Sequence, residues 1–134
     1  MSFDRTFRFA RLLVGIVWLG LAPNAVQACG ACAEDKIAAT YDHRVMTSSR
    51  VKGDVVVFCE VVGVFDKRRL ARAAARVASI RSTSVRTSAQ PAALSFAVDV
   101  SRQAPGAAVA ALAQLLQRDT GLTIVRLVEP STIR

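Results

Sequence analysis

The chain has 134 residues, a formal net charge of +8 and 52% hydrophobic residues. That is enough apolar material for one small domain with its own core, so its three cysteines are not required as a disulfide scaffold. Fifteen of the 18 basic residues are Arg, yet no basic–aromatic interleaving accompanies them, which argues against a nucleic-acid binder.

Residues 1–28 read as an export signal. Arg5, Arg8 and Arg11 make a positive start, Leu12 to Ala22 an apolar run of 11 residues, and Pro23-Asn24 breaks it. Val26-Gln27-Ala28 then offers the small side chains that a signal peptidase reads. The run falls well short of the roughly 20 residues that span a bilayer, so cleavage after Ala28 is expected rather than retention as an anchor. A periplasmic or secreted protein follows. Val26-Gln27-Ala28-Cys29 also resembles a lipoprotein box, with Gln27 where a small residue belongs, and lipid on Cys29 is the alternative it raises. Ala31-Cys32-Ala33 is a second small-x-small site whose use would remove both cysteines, but it lies far from the apolar run.

Cys29-Gly30-Ala31-Cys32 stands directly behind this signal, at the start of residues 29–50, a CxxC arm with a short helix. Residues 33–46 are the predicted helix. Glu34 and Asp35 suit its positive end, and Ile37, Tyr41 and Val45 form one apolar stripe. Thr47 to Gly53 reads as a linker.

Residues 51–130 carry the main domain, and 131–134 a tail. Asp54 to Val62 is a β-branched strand that Gly63 ends. Asp66 to Ala78 is a helix capped by Asp66, with Leu70, Ala73, Ala74 and Val77 on one face and Arg68, Arg72 and Arg76 on another. Ile80 to Thr87 reads as a polar strand, Ser88 to Pro91 as a turn, and Ala93 to Val100 as a strand with Leu94, Phe96, Val98 and Val100 facing one way. Pro105 opens a helix with Val109, Leu112, Ala113 and Leu116 inward. Gly121 is its expected cap, and Leu122 to Val128 is the last strand.

The order after residue 53 is βαββαβ. The predicted fold is therefore α+β, a ferredoxin-like split-βαβ antiparallel sheet with an N-terminal helical arm. Strands one and three are the most apolar and belong in the middle, whereas Arg81, Arg86 and Arg126 mark the second and fourth as edges. The first strand is apolar on both sides: Val55, Val57, Cys59 and Val61 one way, Val56, Phe58 and Val62 the other, with Glu60 interrupting. Two helices cover only one face, so the 33–46 helix or a partner subunit is expected over the second. Six elements complete one sheet, so the 51–130 fragment is expected to fold without the arm.

A βαββαβ domain of this size with a CxxC resembles the heavy-metal-associated domain family of soft-metal chaperones. The resemblance covers residues 54–129 by element order, and Cys29 and Cys32 by motif type. The family's CxxC lies between the first strand and first helix; here that loop is Gly63-Val64-Phe65, and the motif is displaced to the N-terminal arm. What the resemblance implies is binding of a soft metal ion.

The residues point the same way. Two thiolates in a CxxC clamp Cu(I) or Zn(II), and an N-terminal Cys29 would add its α-amine in a five-membered chelate. His43, the only histidine, lies 11 residues beyond Cys32 and joins the set only if the arm folds back. Cys59, in mid-strand, reads as a packed core thiol. Ala33 stands where haem attachment needs His, and no phosphate loop or nucleophile–base constellation occurs. The expected function is a non-enzymatic, exported soft-metal binder for Cu or Zn, acting in sequestration or transfer. A thiol–disulfide redox protein using the same pair is the rival, although the strand that precedes a thioredoxin-type CxxC is missing. The third reading is an interaction module with a structural CxxC clip, whose Arg68–Arg76 face meets a membrane or periplasmic protein partner.

Overall fold

A computed structural model of the chain describes residues 28–131, with side chains from residue 33 onward. The export signal assigned to residues 1–28 lies outside them, Ala28 apart. The described residues form an α+β fold with a four-stranded antiparallel sheet and four α-helices.

Two helices open it, α1 (Ala28–Thr40) and α2 (His43–Lys52). This corrects the single 33–46 helix and the 47–53 linker. The break has a local cause: Asp42 is extended and its Oδ1 accepts from the backbone N–H groups of Arg44 (2.8 Å) and Val45 (3.2 Å), capping a new helix. Gly53 closes α2 in the left-handed conformation, φ 75°.

The sheet follows. Strand β1 (Val55–Gly63) leads to α3 (Lys67–Arg76), whose N-cap is Asp66 as expected, accepting from the N–H groups of Arg68 and Arg69. Strands β2 (Arg86–Ala89) and β3 (Ala92–Val98) form a hairpin, α4 (Pro105–Leu115) has Pro105 at its start, and β4 (Thr120–Val128) ends the sheet. The order across the sheet is β2-β3-β1-β4, with the two most apolar strands central. The polar strand expected from Ile80 to Thr87 is instead an isolated bridge at Ile80, a 3₁₀ turn over Ser82–Ser84, and only then β2. Ser84 explains it: its Oγ donates to the Arg81 carbonyl (2.6 Å) and accepts from the Ala97 N–H (2.8 Å), so side chain replaces ladder. The 88–91 turn shrinks because Ser88 and Ala89 pair within the hairpin. Nor is Gly121 a cap, since it sits inside β4 and Leu116 ends α4. Val100 lies beyond β3 and is exposed.

The central strands are covered on both faces, while Val62 near the end of β1 is exposed. Val55, Val57, Cys59 and Val61 join Leu94, Phe96 and Val98 beneath α3 and α4. On the other side Val56, Phe58 and Ala97 pack with Val45, Ile37 and Met46 of α1 and α2. The helical arm is thus the cover that the two-faced β1 requires. Alternation in β3 prepares this: large Leu94, Phe96 and Val98 face one side, small Ala93, Ser95 and Ala97 the other, where α1 runs across the strand.

Candidate functional site

Cys29 and Cys32 are the second and fifth residues of α1, three apart along one helix. Their side chains lie outside the described residues. What the structure does define is how α1 is fastened to the sheet. Lys36 Nζ pairs with Glu60 at 2.7 Å, the residue that interrupts the second apolar face. Ser95 Oγ, buried in β3, donates to the Thr40 carbonyl at 2.8 Å, which satisfies two polar groups in a dry layer. Arg126 of β4 pairs with Glu34. The CxxC turn therefore sits on a helix anchored to three strands.

The other sequence-predicted residues separate from it. His43 is the first residue of α2 and is exposed, on the far side of the helix break from the cysteines. It opens α2, whereas the cysteines lie in α1. Cys59 is 1% exposed in the middle of β1, and burial pushes its thiol pKa up to about 12. It is the core cysteine expected. Arg68, Arg72 and Arg76 are exposed on α3, as a solvated face requires. Among the described residues no group of three or more His, Cys, Asp or Glu gathers, and no helix is long and apolar enough to cross a membrane.

A concave site away from the CxxC was missed by sequence reasoning. A cleft of about 150 Å³ opens between α2 and the chain from Arg81 to Arg86. One wall is the i, i+4, i+8 row Arg44, Ser48, Lys52 on α2; the other carries Arg81, Thr83 and Arg86. Arg81 is fixed by a fork on buried Asp54 (Nε at 3.0 Å, Nη2 at 3.1 Å) and by Asp99 at 3.1 Å. The hydrogen bond to Asp54 raises the Arg81 pKa further. Arg86 Nε donates to Asp42 at 2.7 Å, and its Nη1 donates to the carbonyls of Thr83 and Val85. That bond from Arg86 is the main cause holding the Asp42 carboxyl below its usual range, followed by the cap bond from Val45. The only available signal was the Arg44–Ser48–Lys52 spacing, and reading 47–53 as a linker hid it.

Compared with family models, curated proteins and solved structures, the chain matches none.

Proposed function

We propose that this is an exported protein that binds one soft metal ion, Cu or Zn, through Cys29 and Cys32, for sequestration or hand-over. The observation that carries the reading is the placement of both cysteines one turn apart in α1 while the third is sealed in the core. A CxxC holds two sulfurs close enough to clamp one soft metal ion. A helix N-terminus favours thiolate over thiol, and thiolate is the ligating form. His43, exposed at the start of α2, completes the set only by a rearrangement of the arm.

The accompanying fold reading is the split-βαβ, ferredoxin-like plan. The element order β1-α3-β2-β3-α4-β4 and the sheet order β2-β3-β1-β4 support it, with α1 and α2 as the N-terminal arm. The same plan supports distant kinship with the heavy-metal-associated family, with the metal-binding motif moved from the β1–α3 loop to α1.

Metal titration of the reduced protein tests the proposal. About one Cu(I) or Zn(II) per chain is expected from one CxxC, with protons released on uptake. Cys29→Ser and Cys32→Ser should each abolish it, and Cys59→Ser should not. A thiol–disulfide redox role is the second reading, favoured by the helix-terminal thiols. Catalytic turnover in insulin reduction, with no metal retained against a weak chelator, would put that reading first.

A further inference from the structure

We propose that the cleft between α2 and the 81–86 segment is a binding site for a small tetrahedral oxyanion, a phosphate group either free or on a small monoester. The argument begins with charge. Four cations line the cleft and only one carboxylate, Asp54, lines it with them. Asp54, Asp99 and Asp42 are consumed in orienting Arg81 and Arg86. Arg44 and Lys52 make no ion pair among the described residues and bring two uncompensated charges to the opposite wall. A cation is repelled there, and a neutral ligand finds little apolar lining beyond Val45 and Ala97.

Donor geometry narrows the class further. Ser48 and Thr83 add hydroxyls to the guanidinium and ammonium groups, so donors approach from two walls rather than in one plane. That suits a tetrahedral anion better than a flat carboxylate, which a single Arg fork satisfies. The size agrees. A cleft of about 150 Å³ has room for a phosphate group and a small substituent on it. The Arg81 and Arg86 side chains are already immobilised, so the anion meets a partly organised site. An occupant also ties α2 to the 81–86 segment, two parts of the chain distant in sequence, and so should stabilise the helical layer against the sheet.

The site is independent of the CxxC, and its test separates the two. The purified, ¹⁵N-labelled protein is titrated with inorganic phosphate and, in parallel, with glycerol 3-phosphate, against sodium chloride at matched ionic strength. Saturable amide shifts at Ser48, Lys52, Thr83 and Arg86, with a rise in melting temperature, are expected for at least one phosphate ligand; the tighter one identifies the source. Arg44→Gln and Lys52→Gln, both at exposed positions, should each weaken binding about tenfold, the scale of one charge-assisted hydrogen bond. Arg68→Gln and Arg72→Gln on α3 should leave it unchanged, and so should the Cys29→Ser, Cys32→Ser double variant. Shifts that fail to saturate, that chloride reproduces, or that survive both α2 variants would overturn the proposal.

Discussion

Asp42 does two jobs with two oxygens. One caps α2 and the other holds Arg86, so a single carboxylate ends one helix reading, starts another helix and fixes a wall of the cationic cleft. Asp42→Asn keeps the cap and loses the charge, whereas Asp42→Ala loses both; the melting temperature should fall in the order wild type, Asn, Ala. Glycines show the same dependence on surroundings. Gly53 (φ 75°) and Gly63 (φ 90°) both occupy the left-handed region, but a Cβ on Gly53 meets nothing, while one on Gly63 presses into the Asp119 carbonyl. Gly53→Ala should cost about 1–2 kcal/mol, the left-handed penalty alone. Gly63→Ala should cost clearly more, because the backbone at Asp119, just before β4, must also move. Urea melts of the two variants check this, and equal costs would refute it. Cys59 offers a third test. A thiol raised to about 12 by burial is inert in the native fold. A thiol reagent should modify Cys29 and Cys32 in folded protein and reach Cys59 only after denaturation.

At the scale of elements, the arm is a layer of the structure rather than an appendage. Val56 and Phe58 are 2% exposed because α1 and α2 lie over them. This changes the outcome expected for the 51–130 fragment. Without the arm, two large apolar side chains and Ala97 return to water. At about 1.5–3 kcal/mol for each large side chain, roughly 3–6 kcal/mol is lost, against a typical total of about 5–15 kcal/mol. The fragment should be unfolded or aggregated by circular dichroism, and a cooperative melt close to that of the whole chain would refute the two-layer account. Phe58→Ala in the whole chain should destabilise by about 3–5 kcal/mol, as for other buried aromatics. Two-facedness of β1 was legible in VVVFCEVV. The identity of its cover was not, because Ala93, Ser95 and Ala97 read as weak strand formers until α1 is seen to need small residues beneath it.

Across the whole molecule the electrostatics have one direction. Asp42, Asp66, Asp99 and Asp119 are all held below the ordinary carboxylate range: Asp42 by the Arg86 hydrogen bond, Asp66 by the Arg69 N–H, Asp99 by the Ser101 hydroxyl and Asp119 by the Arg69 guanidinium. A carboxylate with a lower pKa folded than unfolded contributes stability above its unfolded value, near about 3.9. That contribution disappears as pH falls through the folded values. Protonation also adds to a net charge already at +8, so self-repulsion grows in the same window. The melting temperature should be nearly flat from pH 7 to 5 and should drop steeply below about pH 4, where these carboxylates titrate. An unchanged melt at pH 3 would show that these pairs carry no stability.

The sequence by itself determined what local chemistry can determine. Periodicity identified β1, α3 and α4, Asp66 and Pro105 marked their helix starts, and burial of Cys59 followed from its place in a strand apolar on both sides. It also showed Cys29 and Cys32 at CxxC spacing. Two element boundaries were decided by contacts from farther along the chain: Ser84 answers to Ala97, and Gly121 to β1 rather than to the helix before it. The cationic cleft belongs wholly to the tertiary structure. Its walls are separated in the chain by β1 and α3, and no pattern within either segment announces the other. Local propensity acts over a turn or two, whereas a concave site requires two surfaces to meet, and only the packing of α2 on the second face of the sheet brings these two together.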